Sequence, residues 1–283
     1  MKIAIVGPGA IGSVFALHLA QGGHDVTVVG RGERLAQLER DRAIVTASGE
    51  RASVCVSAAL DTTTPWDLVL VTVLAPQVDA VLPALAESAA KTVMFMFNTF
   101  EPLARLRDAV GAARFAFGFP AILASLEDGK LTSSIVTRGM VTTVTDAAWA
   151  RVFTAAGIPA VVHDDMESWL RTHAAFVVPA MTVAIAAHAR SGGATWAEAA
   201  RSADAMAEGF RVVRALGNTL TPAPMVFVSR MPRPMVASLL WAVSRVPSVR
   251  KTGAAGPTEA RALLDAMRAE AKEPTPALDA IRP

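Results

Sequence analysis

The sequence contains a single cysteine, Cys55, and no tyrosine, and only 6% of its 283 residues are aromatic. One cysteine excludes a disulfide within the chain, and its place in the apolar run ASVCVS predicts a thiol buried in the core. Proteins that bind single-stranded nucleic acid stack bases on aromatic side chains, and this sequence has too few of them to predict such a surface.

Charge is also scarce, because only 18% of the residues are charged and the formal net charge is +2 at pH 7. The arginines are scattered rather than clustered, so we predict no nucleic-acid partner.

The longest apolar stretch, 174–187, is shorter than a membrane span, and the few residues before the first glycines are too short for a signal peptide. No spacing of His, Cys or carboxylates indicates a metal site. We expect a cytoplasmic protein without a membrane partner.

Short β-branched runs alternate with helical patterns over the first 165 residues. A strand pattern at 2–7, a helix pattern at 11–23 and a strand pattern at 25–30 form a strand–helix–strand unit, which requires parallel pairing. Further strand patterns are AIVTA, ASVCVS, DLVLVTV and TVMFMF. The later runs FAFGFPAIL, SSIVT, MVTTVTD and PAVVHD are expected to extend the same sheet or to add an edge to it.

The second part of the chain contains helical patterns, at 166–192, 195–217, 234–246 and 258–271. We therefore predict an α/β fold in which a Rossmann-type, doubly wound, mostly parallel sheet (1–165) is followed by an all-α domain (166–283). Residues 271–283 are expected to be frayed. The apolar surface of the helical half fits a homodimer and burial within the domain equally well.

The string GPGAIG follows the first predicted strand and opens the first predicted helix. Gly7 permits a tight turn, Gly9 lets the backbone approach a pyrophosphate, and Gly12 lets the helix pack on the sheet. The helix start offers N–H groups and a positive dipole end to a phosphate, although a glycine turn without a ligand is the alternative. The predicted cofactor-binding loop is Gly7, Pro8, Gly9, Ala10, Ile11 and Gly12.

Arg31 stands at the end of the second predicted strand, where sites selective for NAD usually carry an acid. A carboxylate at this position binds the ribose hydroxyls and repels a 2′-phosphate, whereas an arginine forms a charge-assisted fork to that phosphate. Arg34 is near enough in sequence to assist. The cofactor predicted from these residues is NADP(H), and a merely solvated arginine is the alternative.

With this loop, Arg31, the later string FNTFEPL and the helical second half, the sequence resembles the ketopantoate reductase family. Members of that family reduce 2-dehydropantoate to pantoate with NADPH, on a nucleotide-binding domain followed by a helical domain. In VTVLAPQVD, the resemblance implies cofactor contacts at Leu74, which replaces a lysine, and at Gln77, which matches the family.

The resemblance also implies roles for two polar residues far apart in the sequence. Asn98 matches an asparagine near the nicotinamide, with Thr99 in place of the family's glycine. Asn98 also follows an apolar strand, on the carboxyl side of the sheet where ligands of open α/β folds bind. Glu259, in GPTEARALLD, matches a glutamate that contacts the substrate or the cofactor ribose, although an acid at a helix start is also favoured by the dipole.

The family's catalytic helix carries a lysine as general acid and two asparagines, and the corresponding string here, WLRTHAAFVVP, keeps none of them. The lysine position falls on Arg171 when the strings are aligned on Trp169, and on Leu170 when they are aligned on Pro179. Arginine stays charged, so Arg171 can polarise a carbonyl but is a poor proton source, whereas His173 titrates in the right range. On a helix the two side chains point roughly 200° apart, so at most one faces the nicotinamide.

Both of these residues also have a structural interpretation. His173 fits a packed histidine of the core. Arg171 fits an ion pair with one of the nearby acids Asp164, Asp165 and Glu167.

The sequence supports an NADPH-dependent reductase of a 2-oxo acid or related carbonyl compound. In this hypothesis Arg171 binds or polarises the substrate, His173 or a bound water supplies the proton, and Glu259 orients a substrate hydroxyl. The absence of both family lysines favours an alternative, an NADP-binding sensor or partner protein without catalysis. A further alternative is an imine- or opine-type dehydrogenase, which requires less proton donation.

Overall fold

The structure, a computed structural model, describes residues 1–190 and 192–282. The ends of the predicted helix over 166–192 and of the predicted frayed tail fall partly on Ser191 and Pro283, which lie outside the described residues. The chain divides into two compact units. The first consists of Met1–Phe97 and Leu103–Met166, and the second of Asn98–Pro102 and the chain from Glu167 onward. The sequence-based division at residue 165 differs in assigning segment 98–102 to the first domain.

The first unit contains the strands and five of the helices. Its strands are β1 (Lys2–Val6), β2 (Asp25–Val29), β3 (Ala43–Val45), β4 (Arg51–Ser53), β5 (Cys55–Ser57), β6 (Leu68–Val71), β7 (Val93–Met96), β8 (Phe115–Phe119), β9 (Ile122–Glu127), β10 (Lys130–Ile135), β11 (Thr142–Val144) and β12 (Ala160–Val162). Its helices are α1 (Ala10–Gln21), α2 (Gly32–Asp41), α3 (Leu82–Glu87), α4 (Ala104–Val110) and α5 (Ala147–Ala155), with a 3₁₀ turn at Ala75–Ala80.

Eight of these strands form one sheet in the order β12-β11-β8-β7-β6-β1-β2-β5. All neighbouring pairs are parallel except β8 with β11. The central order, with β1 between β6 and β2, is that of a doubly wound dinucleotide-binding sheet, whose ligands bind where the strand order reverses. The predicted Rossmann-type fold is therefore confirmed.

The expectation that the later strand runs join this sheet is wrong for the segment 122–135. There β9 and β10 pair antiparallel in a separate two-stranded sheet. Pro120 has no N–H to continue a ladder, and it separates β8 from β9 within the run FAFGFPAIL. Asp128 and Gly129 join the two strands with φ angles of +48° and +75°, which is the backbone of a two-residue hairpin turn.

The predicted burial of Cys55 is also wrong, because this thiol is exposed. Side chains alternate along the run, with Ala52 and Val54 buried and Ser53 and Cys55 exposed. Cys55 is the first residue of β5, the edge strand of the large sheet.

The second unit is helical. Its helices are α6 (Met166–His188), α7 (Trp196–Ala215), α8 (Ala223–Arg230), α9 (Arg233–Val243), α10 (Pro247–Thr252), α11 (Thr258–Glu270) and α12 (Pro276–Asp279), with a 3₁₀ turn at Gly253–Ala255. The core includes Val178, Phe210 and Leu264. A Cβ at Gly209 would lie 3.0 Å from the Ala175 Cβ, so glycine lets α7 approach α6 closely. Helix α6 is long and apolar enough to cross a membrane, but 61% of its most apolar window is buried inside the structure, as in a core helix.

The C-terminal segment is docked rather than frayed, contrary to the prediction. Leu278 is fully buried and Ile281 is 5% exposed. The Leu278 N–H donates to Oε2 of Glu208, a buried carboxylate on α7, at 2.8 Å. Burial of these apolar side chains offsets the entropy lost when the segment is ordered.

We expect replacement of Leu278 by alanine to lower the free energy of unfolding by about 2–5 kcal/mol, because it leaves a cavity under α12. Urea unfolding followed by circular dichroism measures the change. Glu273→Ala, at an exposed position of the same segment, is the control and should shift it by less than about 0.5 kcal/mol. Equal stability of Leu278→Ala and the wild type would contradict the docking of this segment.

Candidate functional site

Two glycines of the loop between β1 and α1 are required by the packing of the first unit. Gly7 has a φ of +90°, and a Cβ there would lie 2.6 Å from the Val73 Cγ1 and 2.9 Å from the Val73 N. A Cβ on Gly12 would lie 2.5 Å from the Gly7 O and would also strike the Thr72 Oγ1. Glycine is therefore fixed at both positions by the fold, with or without a ligand.

Gly9 differs, because a Cβ built there meets no atom of the described residues 1–190 and 192–282 within 4 Å. Its φ of −67° is one that any residue adopts, so the packing of the protein does not demand glycine. Gly9 is the N-cap of α1, no side chain caps this helix, and its first turn carries no acid. An uncapped helix start beneath open space fits an anionic group such as a pyrophosphate.

The loop residues differ in exposure along the string. Gly9 is exposed, Gly7, Ala10 and Ile11 are partly buried, and Pro8 and Gly12 are buried. The exposed Gly9 lies at the helix start, which is the side from which a ligand has access.

Thr72 supports this loop from the neighbouring strand, and the sequence motif alone does not draw attention to it. Its Oγ1 donates to the Gly7 O at 2.7 Å and lies 3.3 Å from the Val6 O. The sequence feature that could have identified Thr72 is a hydroxyl side chain directly after the buried strand LVLV. Thr72 thus joins the end of β6 to the end of β1 at the point where the strand order reverses.

The two arginines predicted near the cofactor have different surroundings. Arg31 follows β2 after one residue, Gly30, as the N-cap of α2, and it is exposed. Arg34 is partly buried, and it donates from Nε to the Pro8 O at 2.8 Å and from Nη2 to the Ser13 Oγ at 2.8 Å. The guanidinium expected to assist Arg31 at a phosphate is therefore bound to the glycine loop and to α1.

Leu74 and Gln77 lie together in the turn that follows β6. The Gln77 N–H donates to the Leu74 O at 2.8 Å, and the Gln77 Oε1 accepts from the Leu74 N–H at 3.3 Å. Leu74 itself is 50% exposed. The side chain at the position of the family's cofactor lysine is thus accessible but uncharged.

In the second unit, the structure brings Asn98 and Glu259 together although they are 161 residues apart. The Asn98 Nδ2 donates to the Glu259 Oε1 at 2.6 Å. Both side chains are partly buried, and Glu259 is the acid in the first turn of α11. Asn98 follows β7 by two residues in the chain, and its hydrogen bond to Glu259 lies within the second unit.

Arg171 is 5% exposed, and acceptors of the second unit surround its guanidinium. Its Nε donates to the Phe100 O at 3.1 Å, and its Nη1 donates to the Asn218 Oδ1 at 2.6 Å. It also pairs with Glu167 at 3.1 Å and with Glu270 at 3.8 Å. This geometry favours the structural interpretation, because Arg171 ties segment 98–102 to α6, and Glu167 is one of the partners expected from the sequence.

His173 is likewise part of the packed interior, with 5% exposure. Its ring stacks on Trp169, with centroids 5.1 Å apart and an interplanar angle of 14°. Burial lowers the pKa of His173 to about 4, so the ring is neutral at pH 7. A buried neutral imidazole does not support the predicted role of His173 as a proton donor.

The sheet order, the glycine loop at its reversal point and the separate helical unit define a Rossmann-type dinucleotide-binding fold followed by a helical unit. The family model described as ketopantoate reductase PanE/ApbA matches residues 3–144. The chain belongs to this family, so the resemblance seen in the sequence is confirmed.

Individual relatives agree with this membership. A 2-dehydropantoate 2-reductase from Vibrio cholerae serotype O1 is 31% identical over 138 residues, which cover 48% of this chain and 42% of that protein. The match thus spans less than half the length of that relative.

Solved structures share the fold at lower identity. A PanE/ApbA family ketopantoate reductase from Ralstonia eutropha JMP134 is 21% identical, with a TM-score of 0.76 over 100% of this chain and 96% of that one. A D-mandelate dehydrogenase in complex with NADH and anilino(oxo)acetate is 18% identical, with a TM-score of 0.71 over 100% and 96%. A dimeric ketopantoate reductase from Staphylococcus aureus is 15% identical, with a TM-score of 0.67 over 100% and 98%.

The buried state of His173 makes stability depend on pH. The pKa of His173 is about 4 in the folded protein and 6.5 in an ordinary environment, so the unfolded chain takes up this proton first as the pH falls. The stability that the folded protein gains from keeping His173 neutral is fully present above pH 6.5 and is lost as the pH falls toward 4. At about 1.4 kcal/mol per pH unit, it amounts to about 2–3 kcal/mol between pH 7 and 4.5.

His173→Phe keeps an aromatic ring against Trp169 and removes the titration. We expect urea unfolding at pH 7 and at pH 4.5 to show a smaller loss of stability in this variant than in the wild type. Carboxylates that titrate in the same window act on both proteins and cancel in the difference. An identical pH dependence of the two proteins would contradict the burial of a neutral His173.

Proposed function

We propose that the protein is an NADPH-dependent reductase of a 2-oxo acid or a related carbonyl compound. The observation that carries this proposal is the open space over Gly9 at an uncapped helix start, in a chain of the ketopantoate reductase family. In the proposal Gly7, Pro8, Gly9, Ala10, Ile11 and Gly12 hold the pyrophosphate. Arg31 binds the 2′-phosphate, because it is exposed at the end of β2 where NAD-selective sites carry an acid. Leu74 and Gln77 are proposed as further cofactor contacts.

NADPH, when held by these residues, would supply the hydride that the carbonyl carbon accepts. Asn98 and Glu259 orient the reactants in this proposal, since their 2.6 Å hydrogen bond holds each side chain in a defined direction. A carboxylate has two oxygens, and we assign the Glu259 Oε2, which is not the atom bonded to Asn98, to a substrate hydroxyl.

The proton for the carbonyl oxygen is assigned to a bound water. His173 is a weaker candidate, because a buried ring with a pKa of about 4 holds no extra proton at pH 7. Arg171 acts as a positioning residue in this proposal, since it holds the Phe100 carbonyl two residues from Asn98.

The names of the relatives support the substrate class. The Vibrio cholerae protein is described as acting on 2-dehydropantoate, and the D-mandelate dehydrogenase is described in complex with anilino(oxo)acetate. Both names describe molecules that carry an oxo group beside a carboxylate. We therefore favour a 2-oxo acid over an isolated ketone.

A cofactor-binding sensor without catalysis is the second candidate. It is favoured by the structural engagement of Arg171 and by the neutral state of His173, because neither residue is then available to supply a proton at pH 7. The same observation is compatible with an imine- or opine-type dehydrogenase, because an acceptor carbon that carries nitrogen requires less proton donation.

We propose a cytoplasmic homodimer as the working state of the enzyme. The helical unit exposes large apolar side chains, among them Phe227, Met235 and Leu239. The Staphylococcus aureus relative is described as dimeric.

The decisive experiment mixes the protein with NADPH or NADH and a panel of 2-dehydropantoate, other 2-oxo acids, ketones and imines, and follows the absorbance of the reduced cofactor. Turnover of a 2-oxo acid supports the proposal, and turnover of imines alone supports the dehydrogenase alternative. Cofactor binding without turnover on the whole panel would support the sensor and refute the reductase.

Glu259→Gln keeps the size of the side chain but removes its charge. Because hydrogen bonds to a charged group are worth about 1.5–3 kcal/mol, we expect kcat/KM to fall about 10- to 100-fold on the best substrate of the panel. Steady-state kinetics measure the loss, with Glu273→Gln, exposed in the C-terminal segment, as the matched control. A variant as active as the control would remove Glu259 from the proposed site.

Arg31→Ala removes the proposed ligand of the 2′-phosphate. We expect the Kd for NADPH to rise about 10- to 100-fold and that for NADH to stay within about twofold, because only NADPH carries that phosphate. Isothermal titration calorimetry measures both constants, and Arg40→Ala, exposed on the same helix α2, controls for lost positive charge. Equal losses for both nucleotides would contradict the assignment.

A further inference from the structure

The guanidinium of Arg34 connects the glycine loop to the tip of the β9–β10 hairpin. All of these residues belong to the first unit. On the loop side, Arg34 donates to the Pro8 O and to the Ser13 Oγ, both at 2.8 Å. The Ser13 Oγ in turn donates to the Pro8 O at 3.2 Å, and Ser13 is fully buried. Arg34 and Ser13 therefore converge on one carbonyl oxygen.

On the other side, the same guanidinium is held by two acceptors. The Arg34 Nη1 donates to the Gln37 Oε1 at 2.5 Å and to the Gly129 O at 3.3 Å. Gly129 lies at the hairpin tip with a φ of +75°, and a Cβ there would strike the Gln37 side chain. The hairpin tip thus packs on the residue that orients Arg34.

The peptide group between Pro8 and Gly9 is planar, so an anchor on its oxygen also sets the direction of its N–H. That N–H donates to the Gly7 O at 2.8 Å, and the Gly9 O accepts from the Ser13 N–H at 2.9 Å as α1 begins. Gly9 has no side chain to restrict its own backbone. The shape of the loop at the helix start therefore depends on contacts made to Pro8 and Ser13, on either side of Gly9 in the sequence.

We propose that Arg34 is a positioning residue that holds the glycine loop in the shape required to bind the pyrophosphate, instead of a ligand of the 2′-phosphate. This inference rests on the proposed function, because it assumes that a dinucleotide binds at the loop. Since NADPH and NADH share the pyrophosphate, the loss of Arg34 weakens both to the same extent. Equal weakening of both nucleotides separates the role of Arg34 from that of Arg31, three residues earlier in the sequence, whose loss should weaken NADPH alone.

The test measures Kd for NADPH and for NADH by calorimetry, well below the unfolding temperature of each variant. We expect Arg34→Ala to raise both constants by the same factor of about tenfold or more, because a buried carbonyl loses a charged donor. Arg34→Lys should recover part of the loss, since an ammonium reaches fewer acceptors than a planar fork. Gln37→Ala should weaken both nucleotides by a smaller common factor, and Arg40→Ala should change neither.

Several outcomes would overturn the inference. Loss confined to NADPH in Arg34→Ala would make Arg34 a phosphate ligand, and unchanged constants would show that the loop needs no such support. Should Arg34→Ala fail to fold, Gln37→Ala decides, since unchanged binding in that variant overturns the proposal and a common loss supports it. A wild-type protein that binds neither nucleotide would instead refute the proposed function, and this inference with it.

Discussion

The hydrogen bond from the Thr72 Oγ1 to the Gly7 O joins the ends of β6 and β1 at the place where the strand order reverses. Helix α1 packs closely on this contact, because a Cβ at Gly12 would strike both the Thr72 Oγ1 and the Gly7 O. The close approach of two strands and a helix leaves Gly9 as the exposed glycine of the loop. The candidate phosphate site is therefore a consequence of how the sheet and its first helix pack.

The elements that depend on local sequence were predictable, and those that depend on distant contacts were not. The unit formed by β1, α1 and β2 follows from hydrophobic periodicity and from the glycine string. The tail 271–283 looks frayed by composition, but Leu278 is buried and its N–H bonds to Glu208, 70 residues away. Segment 98–102 groups with the helical unit, where Arg171 holds the Phe100 carbonyl, and no sequence pattern shows that bond.

The roles of the candidate site residues also depend on distant contacts that the sequence does not show. Arg171 and His173 are residue types that suit catalysis, yet burial turns the first into a structural ion-pair partner and makes the second neutral at pH 7. Residue type indicates which charges are possible, whereas the surroundings decide which charge is present. Asn98 and Glu259 came from the resemblance to a family, and the structure adds that they share a hydrogen bond.

The exposed Cys55 has a practical consequence, since the chain carries one cysteine and therefore one thiol that a maleimide dye can modify. Cys55 pairs in register with Thr27 of β2, and Arg31 follows Thr27 by four residues. A fluorophore attached at this sheet edge would sit one strand away from the segment that leads to Arg31. The native sequence thus already provides an attachment point for an optical reporter beside the adenosine end of the proposed coenzyme.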